Sequence, residues 1–279
     1  MKTLLPYDSE FKITVVSASN DFGVHVGWRQ ISYEHPLQAV RWEYGTPLIP
    51  MRSDYQSYAL SVNRQGVSVG QSILADKLTY LAVKWDSTGW FSYMAGGGHR
   101  DSVANHINRR GQSFGRIADA ERISHAVRWS SAGKPTRLPS LGGLHGHAVG
   151  GNDRGDAVGS SSSTTHATRP TLWRAADLVP VDLGSLGGTF GVGAAVNSQQ
   201  VVVGMSQNAL GKDSAFVWSA GVMRDLNTML PASFVSSGQR LEWADSVTDQ
   251  GTILATVKQS VPGNDIPRYR GVLLKQCLE

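Results

Sequence analysis

A short turn pattern recurs six times along the chain, and its spacing constrains the fold more than any other feature. The pattern is Asn-x-x-Gly followed four residues later by a second Gly. The copies begin at Asn20, Asn63, Asn108, Asn152, Asn197 and, in degenerate form, Thr248. Successive starts are separated by 43, 45, 44, 45 and 51 residues. A period in this range is typical of propellers and solenoids.

A tryptophan recurs along the chain at nearly the same interval as the turn. In each of the first five copies a short apolar stretch ends in Trp, 21 or 22 residues after the Asn. These residues are Trp42, Trp85, Trp129, Trp173 and Trp218; the sixth copy ends at Leu274. Large aromatic side chains dominate core energetics, so we predict that these tryptophans pack between neighbouring sheets. The second Gly of each turn is expected to let neighbouring backbones approach closely.

Each repeat contains four short segments with strand character. In the fourth copy they span residues 145–151, 156–162, 168–174 and 178–186, with a tight turn at Asn152–Gly155. Four strands in about 44 residues suit one propeller blade. The sequence therefore predicts an all-β, six-bladed propeller that forms a single domain over residues 1–279. The predicted blades are residues 7–51, 52–95, 96–141, 142–186, 187–230 and 231–279.

The last blade lacks a fourth strand of its own. Residues Lys2–Pro6 resemble the fourth-strand stretches of other blades, and no other part of the predicted fold requires them. We predict that they pair with Gly271–Leu274 and close the ring, which removes exposed strand edges. An open solenoid is the alternative, but it would require a capping repeat at each end.

The glycines between Ser185 and Gly204 also resemble a phosphate-binding loop. Such a loop requires a following helix, and here a β-branched, strand-like stretch follows. No apolar run is long enough to span a bilayer, and no cofactor is predicted. The net charge of +4, with a pI near 9.2, is spread along the chain. This charge permits an acidic partner but indicates no nucleic-acid site.

The N-terminus has no continuous apolar signal segment, and the chain has a single cysteine, Cys277. Both features favour a cytoplasmic protein. An extracellular protein is the alternative if a leader precedes this sequence.

Residues Val181–Leu230 resemble the bacterial HAF repeat. That pattern combines a Leu-Gly-x-Leu-Gly-Gly strand end, an Ile-Asn-x-x-Gly turn and a His-Ala-Phe-x-Trp strand. Ser124–Trp129 and Ser214–Trp218 are similar to its last element. The resemblance is strongest over blades three to five and extends over nearly the whole chain. It implies a propeller-like fold and extracellular proteins of unknown role, and it brings no catalytic residues.

Candidate binding residues were sought in the loops at one mouth of the predicted channel, because propeller loops commonly carry function. One loop offers His99, Arg100 and Asp101. His145 and His147 are two residues apart, so they share one face of a strand. A metal site needs three or four ligands, and no third ligand shows diagnostic spacing. We therefore predict no metal.

Three connections bring acidic and aromatic residues to the same predicted mouth. The acids are Asp8, Glu10, Asp54 and Glu242, and Tyr55 and Trp243 accompany them. Paired carboxylates would suit a glycoside hydrolase. The hydroxyl-rich run Gly159–Pro170 is interpreted as a low-complexity loop, because it lacks the supported turn of a serine nucleophile.

The stretch Lys258–Arg270 is predicted to be an extended loop of the last blade. Together with Tyr33 of blade one it would present Arg268, Tyr269 and Arg270 on one rim. Tyr and Arg are enriched at the energetic centres of protein interfaces.

These features favour a non-enzymatic binding module that recognises another protein, and one possible role is an immunity protein that neutralises a bacterial toxin. A carbohydrate-binding, lectin-like propeller is the alternative, with the repeated tryptophans stacking on sugars. A hydrolase that uses carboxylates or histidines at the channel mouth is the second alternative.

Overall fold

The computed structural model describes residues 13–30, 32, 35–43, 49–96, 101–231, 233–234, 238–261 and 264–275. The predicted closing segment Lys2–Pro6 lies outside these residues. The chain divides into two compact units, Met1–Arg137 and Leu138–Glu279. The described strands form runs in which each strand pairs antiparallel with the next one along the chain, and we call each such run a meander. A parallel bridge between Thr168 and Phe190 also joins two of these runs.

The first unit contains three meanders of four strands each in its described part. The first meander comprises β1 (Ile13–Ser19), β2 (Val24–Gln30), β3 (Gln38–Glu43) and β4 (Ile49–Pro50). The second comprises β5 (Gln56–Val62), β6 (Ser68–Ile73), β7 (Tyr80–Trp85) and β8 (Phe91–Tyr93). The third comprises β9 (Ser102–Ile107), β10 (Ser113–Ala118), β11 (Ser124–Trp129) and β12 (Pro135–Arg137).

The second unit continues the pattern with a fourth, fifth and sixth meander. The fourth comprises β13 (Gly142–Gly151), β14 (Ala157–Ser163), β15 (Thr168–Trp173) and β16 (Pro180–Asp182). The fifth comprises β17 (Gly187–Val196), β18 (Val202–Asn208), β19 (Asp213–Ser219) and β20 (Val222–Asp225), followed by a 3-10 helix over Leu226–Met229. The sixth has three strands among the described residues: β21 (Gln239–Val247), β22 (Thr252–Val261) and β23 (Asn264–Lys275).

The predicted all-β class and the four strands of the fourth repeat are confirmed. Two loop assignments are wrong. The run Gly159–Pro170 lies in β14, a tight hairpin and the start of β15, because its serines alternate between the two sheet faces. The stretch Lys258–Arg270 lies mainly in β22 and β23, which pair in a long hairpin and thereby satisfy each other's backbone groups.

The Asn side chain of the repeated turn forms hydrogen bonds with the backbone of its own turn and with the backbone of the next turn. In the fourth meander the Asn152 side-chain oxygen accepts the amides of Arg154 and Asp156, each at 3.0 Å. Its Nδ2 group donates to the backbone oxygen of Asn197 at 2.9 Å, in the turn of the next meander. Asn197 repeats this arrangement and donates to the Thr248 oxygen at 3.1 Å.

The first unit has the same hydrogen bonds between turns. Asn20 donates to the backbone oxygen of Asn63 at 2.9 Å, and Asn63 donates to that of Asn108 at 3.4 Å. This double role, in its own turn and in the next one, is seen for Asn20, Asn63, Asn152 and Asn197, and it explains why the pattern begins with Asn.

The second Gly of the pattern lies where two strands touch. A Cβ at Gly159 would lie 1.9 Å from the backbone oxygen of His147, and one at Gly204 would lie 2.1 Å from that of Val192. No side chain fits at such distances, so the predicted close approach of backbones is confirmed. The opposing strands bulge at this point, between Ala148 and Gly150 in the fourth meander.

The repeated tryptophans are buried, as predicted. Their exposed fractions range from 0% to 5%. Trp129 belongs to a core cluster with Val69, Ala82 and Met94 of the preceding meander, and its indole N–H donates to the Ala95 oxygen at 2.7 Å. Trp85 and Trp173 donate in the same way to backbone oxygens about 34 residues earlier. These side chains join neighbouring meanders within each unit and are unavailable for stacking on a ligand.

We expect Asn152→Ala to lower the free energy of unfolding by about 2–4 kcal/mol, because several buried hydrogen bonds are lost at about 1 kcal/mol each. The control is Asn208→Ala, since Asn208 accepts the amides of Leu210 and Lys212 in an exposed hairpin. That change should cost only about 1 kcal/mol. Chemical denaturation at neutral pH measures both, and equal losses would contradict a special role for the bond between turns.

Candidate binding sites

Several predicted site residues lie outside the described residues. These are Asp8, Glu10, Tyr33, His99 and Arg100. The rim that was predicted to contain Tyr33, and the loop of His99 and Arg100, therefore stay predictions.

Two predicted site residues of the first unit, Asp101 and Tyr55, each contact a cationic side chain. Asp101 forms an ion pair with Arg116 at 2.9 Å, across the start of the third meander. The Lys77 ammonium lies 5.6 Å from the centre of the half-buried Tyr55 ring. Both contacts connect loops to neighbouring strands, and they do not bring Asp101 and Tyr55 into one pocket.

The predicted residues of the sixth meander lie on strands instead of loops. Glu242 and Trp243 are in β21, and Arg268, Tyr269 and Arg270 are in β23. Their loop assignment is wrong because β22 pairs with β21 on one side and with β23 on the other, with Trp243 opposite Thr256 and Tyr269 opposite Lys258. Glu242 accepts a hydrogen bond from Lys258 at 2.9 Å, and this contact raises the pKa of the Lys258 ammonium.

A pocket of about 380 Å³ lies between the outer hairpins of the second and third meanders. We call it the aromatic pocket. Trp90, Phe91 and Tyr93 line it together with Lys84 and Ser131. The volume falls within the range of small-molecule sites and of pockets that receive single side chains.

Trp90 is 58% exposed, unlike the tryptophans of the repeat. The Arg52 guanidinium carbon lies 3.9 Å from the centre of its ring, a cation–π contact. The backbone of Arg52 is held on both sides, because its amide donates to the Gly89 oxygen at 3.4 Å and its oxygen accepts the Trp85 indole N–H at 2.8 Å. The structure thus presents an aromatic ring and a cation in a preorganised pair.

The hairpin beneath Trp90 is also held in place. The Asp86 carboxylate accepts the Thr88 hydroxyl at 2.6 Å and the Trp90 amide at 3.1 Å. The hydrogen bond from the Thr88 hydroxyl, followed by those from the hairpin amides, keeps the pKa of Asp86 below its ordinary value. Asp86 therefore stays ionised and keeps the hairpin closed.

Tyr93 completes the aromatic wall of this pocket. Its ring meets Phe91 edge to face, with centres 5.4 Å apart. Its hydroxyl donates to Asp54. Partial burial and this hydrogen bond raise the pKa of the Tyr93 hydroxyl well above its ordinary range, so it remains a neutral donor.

Sequence reasoning missed this pocket although a signal was present. The stretch Trp90–Tyr93 places three aromatic residues within four positions, where the third repeat carries Pro135, Thr136 and Arg137. Comparing the repeats position by position would have identified this aromatic cluster. The regular spacing indicated only the tryptophans that are buried.

His145 and His147 are brought together in a second pocket, of about 420 Å³. We call it the hydroxyl pocket, because Ser160, Ser162 and Thr168 line it with the two imidazoles. Phe190 and Val192 of the fifth meander form the facing wall. The structure therefore brings these two predicted site residues together.

The described residues hold no group of three or more His, Cys, Asp or Glu side chains that could bind a metal. The described residues around the hydroxyl pocket include no carboxylate, and Glu242 is paired with Lys258. In the described part of the chain, no helix has the length and apolar character needed to cross a membrane.

No protein-family model matches the sequence, and no curated protein is significantly similar to it. Solved structures do resemble the fold. The β-propeller domain of the trilobed protease from Pyrococcus furiosus, described as having an open velcro topology, aligns with a TM-score of 0.60 and 7% identity. That alignment covers 97% of this chain and 82% of the other.

Two TolB structures are also similar. A TolB-type protein from Agrobacterium tumefaciens aligns with a TM-score of 0.56 and 10% identity, covering 82% of this chain and 80% of the other. TolB from Acinetobacter baumannii aligns with a TM-score of 0.52 and 12% identity over 73% of this chain. This chain spans 51% of that protein. At such low identities the likeness shows a propeller-type fold.

We expect the Glu242–Lys258 pair to contribute about 0.2–1 kcal/mol, because both side chains are partly exposed. A double-mutant cycle with Glu242→Gln and Lys258→Met measures this coupling. Since the pKa of Lys258 is raised in the folded protein, the contribution is present below the unfolded-state pKa. It is lost as the pH rises through the folded-state pKa, so a coupling that is unchanged in strong alkali would contradict the assignment.

Proposed function

We propose that the chain is a non-enzymatic module that recognises another protein, with the aromatic pocket at the centre of the interface. The observation that carries this proposal is the exposed Trp90 with the guanidinium of Arg52 stacked on its ring. Trp, Tyr and Arg are the residue types that dominate binding energy in protein interfaces. Because hydrogen bonds hold the backbones of Arg52 and Trp90, and the two side chains stack on each other, less conformational entropy is lost on binding.

The partner is expected to present an acidic and apolar surface. The guanidinium of Arg52, stacked on Trp90, keeps its N–H edge available for a carboxylate, and Lys84 lines the pocket that Trp90 borders. The net charge of +4 favours approach of an acidic protein. Trp90 and Tyr93 supply the apolar contact area.

An immunity protein that covers the active site of a bacterial toxin is the biological role that we propose for such a module. Membership of the HAF repeat family and a cytoplasmic location belong to the same proposal. The preorganised pocket supports binding, and the repeat pattern supports the family.

The two alternatives have less support. The lectin model that depends on the repeated tryptophans fails, because those side chains are at most 5% exposed. The hydrolase model required acidic and imidazole groups in one pocket. Asp101 is paired with Arg116 and Glu242 with Lys258, and neither lines a described pocket with His147.

Trp90→Ala should weaken binding of the partner at least tenfold while leaving the unfolding temperature unchanged, because the ring is exposed in the free protein. Photo-cross-linking from position 90 in native cells identifies the partner, and calorimetry on the purified pair gives Kd. The control is Leu78→Ala, because Leu78 is a 72% exposed apolar residue that is absent from the pocket lining.

Equal Kd values for the wild type and Trp90→Ala would refute the interface. The immunity role has a separate readout, which is survival of cells that express the partner. Wild-type chain should protect them, and Trp90→Ala should protect them poorly.

We further propose that the meanders are the blades of a six-bladed propeller closed by Lys2–Pro6. In the described meanders one to five the third strand pairs with a short fourth strand. In the sixth, β23 has no such partner among the described residues, and Leu273 and Tyr269 on it are 71% and 58% exposed. A strand with a neighbour on only one side has backbone groups that a further strand can pair with.

Deletion of residues 2–6 should lower the unfolding temperature and cause concentration-dependent association, because it would leave the edge of β23 open. The control is deletion of residues 276–279, which the closure does not require. Differential scanning calorimetry and gel filtration measure both effects. A monomer of unchanged stability after deletion of residues 2–6 would favour an open arrangement.

A further inference from the structure

We propose that the hydroxyl pocket is a second binding site, which takes a neutral pyranose sugar. The proposal does not depend on the aromatic pocket and concerns different residues. It is built on serine and threonine hydroxyls for which the described part of the chain supplies no hydrogen-bond partner.

Three hydroxyl groups of this pocket lack hydrogen-bond partners among the described residues. They belong to Ser160, Ser162 and Thr168. Ser160 is only 8% exposed. None of the three is among the fully buried side-chain atoms that lack a partner, so water can reach these hydroxyls. A ligand hydroxyl can take the place of that water. A site that keeps such groups is therefore suited to a ligand that supplies the missing partners.

The sheet register places these hydroxyls on one surface. Ser160 and Ser162 are two residues apart on β14, so they share one sheet face. Ser160 is opposite His147 of β13, and Ser162 is opposite Thr168 of β15. The polar groups therefore form a continuous floor across three strands.

The repeat itself shows that the fold does not require these polar groups. In the fifth meander the corresponding positions carry Val192 for His147, Met205 for Ser160 and Gln207 for Ser162. By contrast, Ser161 and Ser206 are equivalent positions that both carry serine. Their hydroxyls accept hydrogen bonds from the amides of Leu141 and Leu186, at 2.9 and 3.1 Å. The shared serine is structural, and the residues that differ form the pocket.

The chemistry of the lining favours a neutral sugar over an anion. Hydroxyl groups both donate and accept, as the hydroxyls of a sugar do. The lining includes no Lys, Arg, Asp or Glu among the described residues, so no fixed charge selects for an ion. Phe190 is 41% exposed and forms one wall. The electron-rich face of an aromatic ring attracts the C–H face of a pyranose.

Titration of the intact protein with a panel of neutral monosaccharides, followed by NMR and calorimetry, tests this site. Inorganic phosphate serves as the anion probe, and a glycan array distinguishes a free sugar from the terminal residue of a glycan. We expect saturable binding of at least one neutral pyranose. Binding of phosphate alone, or of no sugar, would overturn the proposal.

Substitutions taken from the fifth meander locate the site. Ser160→Met and His147→Val should each weaken sugar binding at least tenfold. Thr168→Val removes only a hydroxyl and serves as the variant of least structural risk. Its binding should weaken while its unfolding temperature is kept. Unchanged sugar affinity in all three variants would refute this location.

The aromatic pocket supplies the control. Trp90→Ala should leave sugar affinity unchanged, and Thr168→Val should leave affinity for the protein partner unchanged. Failure of one proposal is therefore distinguishable from failure of the other. If Trp90→Ala abolished sugar binding, the sugar would be assigned to the aromatic pocket and the hydroxyl pocket would be rejected.

Discussion

The hydrogen bond from an Asn side chain to the next repeated turn is the interaction on which the rest of the structure depends. Its oxygen holds the backbone of its own turn, so its Nδ2 group is directed at the neighbour, as in Asn152 and Asn197. The tryptophans complete the connection by packing between meanders and donating to backbone oxygens. Within each unit these two contacts determine how successive meanders are joined.

The two proposed binding sites lie where a repeat departs from this pattern. Positions shared by the repeats, such as Ser161 and Ser206, satisfy backbone amides. Positions at which the residue differs between repeats, such as Trp90 and Ser160, do not have this structural role. Equivalent positions of the meanders can therefore be compared with one another. The comparison shows which residues the fold requires and which it tolerates.

Much of the fold could be predicted from the sequence, and less of the sites. The turn spacing predicted the strands, and the recurring Trp predicted the packing between sheets, because both follow from local periodicity. The serine run was assigned to a loop because composition obscured its alternation between sheet faces. Trp90 was overlooked because its exposure depends on a hairpin whose conformation is held by Asp86 and by Arg52 of another segment.

The sequence by itself determined the class of the fold, since the Asn, Gly and Trp positions impose turns, close strand contacts and buried aromatic rings at a constant spacing. Only the tertiary structure decided which side chains meet in a pocket. His147, Ser160 and Phe190 come from three strands, and Arg52 reaches Trp90 across 38 positions of the chain. Such contacts depend on the register and packing of distant strands, which local patterns do not encode.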